Sequence, residues 1–296
     1  MNALLSVETN SKTGCLGDPV SVRLCPSAPH FDNNMYLIVN GATDIGRVRD
    51  HNEDSILALG AEQSPPGTDA LLVVADGMGG HAAGEVASGM TISKIGERFG
   101  SGEFITEPVD GLEYALRTLL QDVNGLIQSA GQDSDKRGMG TTCTLAVIKD
   151  KRLYYAHVGD SRAYLFRDDE LSQITNDHSW VEGMVRAGVI SREAARTHPN
   201  RNMVTRAIGL DADVVVDTGS CALHDGDLII LCSDGLNSML ADEDIQSVVE
   251  TSSHETVCVD LIEAANQAGG HDNISVTVAY FWPGDANLKS TPPSSH

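Results

Sequence analysis

The chain has 296 residues and a formal net charge of −22, from 42 acidic against 20 basic residues. That length buries a sizeable core without covalent staples, in one large domain or two small ones. The charge repels phosphodiester backbones and anionic bilayers, so no nucleic-acid and no membrane partner is expected. The cysteines (Cys15, Cys25, Cys143, Cys221, Cys232 and Cys258) form no Cys-x-x-Cys pair and no zinc spacing. There is no basic start leading into an apolar leader, and no run of about 20 apolar residues. A reducing, cytoplasmic location is expected.

Residues 1–33, rich in Ser, Asn, Pro and Gly, read as a mobile or loosely docked extension. A first strand at 35–39 leads into the most charge-dense stretch of the chain, Thr43 to Ser55, which lies between two strand-like runs. On its own that stretch is equally a solvated loop. Pro65-Pro66-Gly67 marks a turn. Then comes Leu71-Leu72-Val73-Val74-Ala75-Asp76-Gly77-Met78-Gly79-Gly80-His81. A short apolar run with valines, bounded by turn residues, is a buried strand, and Asp76 is expected where it leaves the core. Carboxylate, close-approaching glycine backbone and water are what a hard divalent cation takes. The alternative is an ordinary Asp-Gly turn.

Ala83, Val86, Ala87 and Met90 recur at helical spacing. A second helix carries the wide apolar stripe Leu112, Ala115, Leu116, Leu119, Val123, Leu126, Ile127 and Ala130. Four short strands follow, at 141–148, 153–157, 163–166 and 171–175. The tight turns between them demand antiparallel hairpins. Residues 178–213 interrupt the strands as an inserted flap with short helices, and carry Arg186, Arg192, Arg196, Arg201 and Arg206. Strands return at 214–218 and 228–232, helices at 241–250 and 255–268, and a last strand at 274–281; residues 284–296 read as a disordered tail. No repeat or linker divides the middle, so 34–283 is expected to be one domain.

Two strands end alike, in Ala-Asp76-Gly and Ser-Asp234-Gly, and Asp272 stands just before the last strand. If the strands near 230 and 277 are antiparallel neighbours, Asp234 and Asp272 share one sheet edge. If Asp76 ends a strand of a facing sheet, three carboxylates meet. Such a cluster must be compensated by protons or cations.

Arg49-x-x-Asn52-Glu53-Asp54, Ala75-Asp76-Gly77-Met78-Gly79-Gly80, Gly140-Thr141-Thr142, Gly159-Asp160-Ser161-Arg162, Ser233-Asp234-Gly235-Leu236 and Asp272-Asn273 occur in this order. Together they resemble the bacterial branch of the metal-dependent serine/threonine protein phosphatases, the PPM family, over residues 36–281. The resemblance implies an α+β, four-layer αββα sandwich: two stacked antiparallel sheets flanked by helices. It implies two Mg²⁺ or Mn²⁺ ions bridged by Asp76. Asp234 and Asp272 would complete one shell; the Gly77 carbonyl and Glu53 would serve the other. Asp54 would hold metal-bound water, and Asp160 with Asp234 would suit a weaker third ion. Arg49 would hold the substrate phosphate, its null role being a loop arginine paired to Glu53 or Asp54. The implied reaction is hydrolysis of phosphoserine or phosphothreonine in proteins by direct attack of a metal-bridging hydroxide, opposing a serine/threonine kinase.

Two positions depart from the family pattern. Met78 stands where animal relatives place a histidine suited to protonating the leaving oxygen, which leaves His81, His51 or metal-bound water for that task. Glu53 stands where many bacterial relatives have Gln. The flap arginines either recruit phosphorylated segments or serve packing and solubility; Thr205-Arg206-Ala207-Ile208-Gly209 fits the family pattern at the flap's end. Two rival readings remain. A catalytically silent phosphoprotein-binding regulator of the same fold is disfavoured because every expected carboxylate is present. A dinucleotide-binding enzyme is suggested by Gly77-x-Gly79-x-x-Ala82. It is disfavoured because Asp76 would face the pyrophosphate and Glu97 falls in a helical stretch.

Overall fold

The computed structural model describes residues 35–60, 63–64, 67–79, 83–102, 111–133 and 136–283. The expected extension at 1–33, the tail at 284–296 and His81 lie outside the described residues. The strands are β1 (Met35–Asp44), β2 (Asp54–Leu59), β3 (Ala70–Met78), β4 (Gly140–Thr141), β5 (Cys143–Lys149), β6 (Arg152–Val158), β7 (Arg162–Arg167), β8 (Glu170–Gln173), β9 (Asp217–Ala222), β10 (Leu228–Cys232) and β11 (Ile274–Pro283). The helices are α1 (Ala83–Gly100), α2 (Leu112–Ala130), α3 (Trp180–Arg186), α4 (Arg192–Arg196), α5 (Asp234–Asn237), α6 (Asp242–Thr251) and α7 (Val257–Gln267). None of the described helices is long and apolar enough to cross a membrane.

Two antiparallel sheets result, ordered β1-β11-β10-β7-β8 and β2-β3-β5-β6-β9, with β4 added to β3. Their strands are continuously apolar because both faces are covered. In β3, Leu72 and Val74 enter the core between the sheets, while Leu71 and Val73 meet the side chains of α1 and α2. In β10, Ile229 and Leu231 face the other sheet, and Leu228, Ile230 and Cys232 face α5, α6 and α7. Successive strand residues point to opposite faces, so a run of five apolar residues fills two cores at once. Together these cores make the expected four-layer αββα stack.

The stripe on α2 is buried at Leu112, Leu116, Leu119, Val123 and Ile127, but Leu126, expected on it, is exposed, and Leu120 is buried in addition. The hairpins β5–β6 and β7–β8 turn on Asp150-Lys151 and Asp168-Asp169, each residue with φ between 51° and 60°. That conformation gives the right twist for two-residue hairpins and is tolerated by Asp without glycine.

Four expectations need correction. β3 does not end at Asp76 but runs on to Met78, because Gly77 and Met78 pair with Thr141 and Gly140 of β4. The strand expected at 141–148 is therefore two, broken at Thr142. The strand expected at 214–218 lies at Asp217–Ala222; Val214 and Val216 are buried against the α2 side from a loop. Asp234 does more than close β10: it opens the short helix α5.

Candidate metal centre

The registers put one end of every central strand in the same place. Cys232 of β10 lies opposite Val276 of β11, so the segments 233–234 and 272–273 share an edge. In the other sheet Asp54 at the start of β2 lies opposite Asp76 in β3. Cys143 at the start of β5 lies opposite Val158, the last residue of β6 before Gly159-Asp160. A cleft of about 230 Å³ opens there, bordered by Arg49, Glu53, Asp76, Gly77, Asp160, Asp234 and Asp272. Asn202 and Val204 close it from the flap.

Polar side chains that carry no charge hold these residues in place. Thr142 Oγ1 accepts from the Asp76 N–H at 3.0 Å, and Thr141 Oγ1 donates to the Asp76 carbonyl at 2.9 Å. Thr142 also meets Ser161 Oγ at 2.7 Å, joining Asp76 to the turn that bears Asp160. Asn273 pins the loop from β1 to β2. Its Oδ1 accepts from the Glu53 N–H at 2.9 Å, and its Nδ2 donates to the carbonyls of Ile45 at 3.0 Å and His51 at 2.9 Å. A Cβ on Gly77 would overlap the carbonyl oxygens of Gly84 and Glu53, so only glycine lets β3, α1 and the loop converge. The motifs contained Thr142, Ser233 and Asn273 but offered no role for them. The available signal was a hydroxyl or amide residue at the very ends of apolar strands.

The electrostatics are one-sided. Asp54 and Asp160 are each only 7% exposed. Burial pushes Asp54 up to about 7, although Ser275 and Ser233 donate to it. Burial and then the neighbouring Asp272 push Asp234 up to about 6. Asp76 and Asp160 lie well above the ordinary range, again from burial first and then from neighbouring carboxylates, Asp54 for the one and Asp234 for the other. Asp54 Oδ2 accepts from Ser233 Oγ at 2.7 Å; its buried Oδ1 has no partner. Among the described residues Arg49 is the one arginine or lysine bordering the cleft. It donates to Asp272 Oδ2 at 2.7 Å, not to Glu53 or Asp54.

Among the described residues no three His, Cys, Asp or Glu side chains already form a ligand cage. The residues nevertheless fit divalent cations. Every donor is oxygen, one buried carboxylate oxygen is orphaned, and cations would replace the protons that now compensate the cluster.

A larger cavity of about 310 Å³ lies elsewhere, bordered by Arg117, Tyr155, His157 and Asp217. Its carboxylate is already paired, with Arg206 at 2.9 Å and His178 at 3.2 Å. Charge, more than volume, singles out the smaller cleft. His51 is exposed and Met78 borders the cleft. Among the flap arginines, Arg206 is bound to Asp217, Arg192 lies 3.5 Å from Glu182, and Arg196 donates to the Asn237 carbonyl at 3.3 Å.

Two facing antiparallel sheets with helices on both outer faces thus carry a carboxylate-lined cleft at one end, whose all-oxygen donors suit divalent cations. The family model for protein phosphatase 2C matches residues 47–275, and the chain belongs to that family. The serine/threonine phosphatase stp of Listeria monocytogenes is 37% identical over 236 residues, 79% of this chain and 92% of that one. The solved serine/threonine phosphatase of S. agalactiae superposes with a TM-score of 0.76 at 36% identity, covering 83% of this chain and 99% of that one. The catalytic domain of the serine/threonine protein phosphatase PstP, solved in complex with two manganese ions, gives a TM-score of 0.72 at 35% identity, over 84% and 99% of the two chains.

Proposed function

We infer that this chain is a metal-dependent serine/threonine protein phosphatase, acting on phosphorylated proteins with Mn²⁺ or Mg²⁺. The observation that carries this reading is the set of buried carboxylates Asp54, Asp76, Asp160 and Asp234. They repel one another, and among the described residues bordering the cleft the one arginine or lysine is Arg49, which is bound to Asp272.

Asp76, Asp234 and Asp272 would hold one cation, and Asp76, Glu53 and the Gly77 carbonyl the other; Asp160 with Asp234 would suit a third. When bound, such cations lower the pKa of a shared water so that hydroxide is present near neutral pH. The chain's own groups do the rest. Asp54 lies behind the residues that border the cleft, and its buried, unpartnered Oδ1 would accept a hydrogen bond from water held there and orient it. Arg49, released from Asp272 as that carboxylate turns to a cation, presents its fork of N–H donors to the phosphoryl oxygens. Asn202 and the exposed Arg201 of the flap meet the polypeptide around the phosphorylated residue.

The natural opponent is a serine/threonine kinase whose products this enzyme resets. Residues 34–283 form the catalytic unit. A cytoplasmic site of action suits the free thiols of Cys143, Cys232 and Cys258. Phosphate release from a phosphothreonine peptide, measured with Mn²⁺ and with chelator, tests the reading. Release is expected only with the ion, and an Asp76→Asn enzyme that kept full activity would end it.

A further inference from the structure

One side chain joins the flap to the turn that bears Asp160. The His178 N–H donates to the Gly159 carbonyl at 2.6 Å, and the His178 carbonyl accepts from the Thr205 N–H at 2.7 Å. The ring adds a third link: Nδ1 accepts from the Gly159 N–H at 3.1 Å. A ring nitrogen that accepts bears no proton, so in the neutral imidazole the proton is on Nε2. That nitrogen lies 3.2 Å from Asp217 Oδ2 and 3.0 Å from Arg206 Nη1. Two donors do not bond each other, so Nε2–H donates to Asp217, and Arg206 binds the other oxygen of the same carboxylate at 2.9 Å. The ring is 4% exposed and so is held to one orientation.

Each nitrogen therefore faces a different part of the enzyme. On the Nδ1 side, Gly159 has φ of +117°, and a Cβ there would run into Thr142. The turn is packed on the residue that positions Asp76, and Asp160 follows directly. On the Nε2 side, Asp217 and Arg206 hold the return strand of the flap, where Ser179 bridges Val204 and Trp180 N–H donates to Met203 at 2.8 Å. Asn202 and Val204, just beyond, border the cleft.

We propose that His178 is a positioning residue with two separable tasks. Its Nδ1 fixes the Gly159–Asp160 turn and so sets cation affinity on the Asp160 side. Its Nε2–H, through Asp217 and Arg206, fixes the flap base and so sets the handling of the phosphopeptide. Because both tasks presuppose the phosphatase reading, they are read by measurements that do not depend on turnover as well as by one that does.

The amide oxygen of Asn reaches where Nδ1 sits, and the amide nitrogen of Gln reaches where Nε2 sits. His178→Gln thus keeps the donor to Asp217 and loses the acceptor for Gly159; His178→Asn does the reverse. Full-length protein is titrated with Mn²⁺ by calorimetry, digested with trypsin, which cuts at the exposed flap arginines Arg186 and Arg201, and assayed on a phosphothreonine peptide and on p-nitrophenyl phosphate. For His178→Gln the weakest Mn²⁺ step should weaken about tenfold, as for other residues that orient ligands, with flap cleavage at the wild-type rate. For His178→Asn, and for the half-exposed Asp217→Asn, the Mn²⁺ isotherm should stay as wild type while flap cleavage quickens. Peptide KM should rise about tenfold, a loss of binding shared by ground and transition states, with p-nitrophenyl phosphate kinetics unchanged. If the Gln and Asn variants shift both readouts together, or shift neither, the two-task role is overturned. Should His178 variants melt below the assay temperature, Asp217→Asn decides: an unaltered cleavage rate and KM overturn it. A wild-type protein without Mn²⁺-dependent phosphatase activity would instead overturn the functional reading, and the calorimetric and proteolytic arms would still stand.

Discussion

The molecule buries carboxylates in two ways. Asp177 and Asp227 are structural: Arg162 forks onto Asp177 with contacts of 2.7–3.1 Å, and Arg167 onto Asp227 at 2.6 and 2.8 Å. Asp54 and Asp160 are also buried, and Asp76 and Asp234 partly so, but among the described residues none of the four has an arginine or lysine within ion-pair distance, with Arg49 committed to Asp272. Buried charge is costly unless paired. The chain meets that cost with arginine at Asp177 and Asp227 and leaves it open in the cleft, where removable ions would meet it. Arg162 sits two residues from Asp160 in the same motif, so the motif itself spans both solutions.

Removing one acid from the open cluster should have the largest effect. Asp76→Asn or Asp234→Asn should lower phosphopeptide turnover about 10³-fold or more. Relief of like-charge repulsion should raise the melting temperature of the metal-free protein by about 2–4 °C, the worth of about 1 kcal/mol at this size. The closed pairs should behave the opposite way. Arg167→Ala strands the 1% exposed carboxylate of Asp227 and should cost about 3–5 kcal/mol in urea unfolding, with turnover by the folded fraction unchanged. Arg49→Ala belongs to neither group, since its side chain is 46% exposed. It should reduce kcat/KM for the phosphopeptide about 10- to 100-fold while stability holds, and Arg49→Lys should restore only part of that loss because a single ammonium cannot fork. A catalytic defect in Arg167→Ala, or a stability defect without a catalytic one in Asp76→Asn, would erase the distinction.

Much of this contrast is legible in the sequence because it rides on strong local patterns. The run into Asp76, the paired Asp-Gly strand ends and the stripe of α2 each state an environment without tertiary information. Even the convergence of Asp234 with Asp272 follows once β10 and β11 are neighbours. What escapes is whatever depends on a distant partner. Asp76 lies inside β3 because β4, 62 residues further on in sequence from Met78 to Gly140, extends the ladder. β9 reads Asp-Thr-Gly-Ser-Cys-Ala and is a strand only because β6 offers it an edge, whereas Val214 and Val216 just before it are buried outside any strand. Arg162 and Arg206 look like candidates for phosphate until Asp177 and Asp217 are seen to hold them. The roles of Thr142, Ser233 and Asn273 arise from hydrogen bonds across 19 to 228 residues of sequence.

The mildest test is titration of stability without metal. Folding pushes Asp54 up to about 7 and Asp234 up to about 6, and holds Asp76 and Asp160 well above the ordinary carboxylate range; unfolded, all return to about 4. Across that window the native state binds more protons than the unfolded chain, so each group's contribution is present at low pH and is lost as pH rises through its folded value. His157 works in the other sense. Burial holds it neutral down to about 4, so its contribution is lost as pH falls below about 6.5. Burial lowers His178 in the same sense, but four acids outweigh two imidazoles, and stability of the metal-free protein should fall from pH 5 to pH 8. Excess Mn²⁺, binding only the folded state, should remove that decline, and Asp76→Asn should flatten it without metal. A metal-free stability that rises from pH 5 to pH 8 would mean that the open cluster is compensated by something other than protons, and the contrast with the arginine-paired acids would lose its basis.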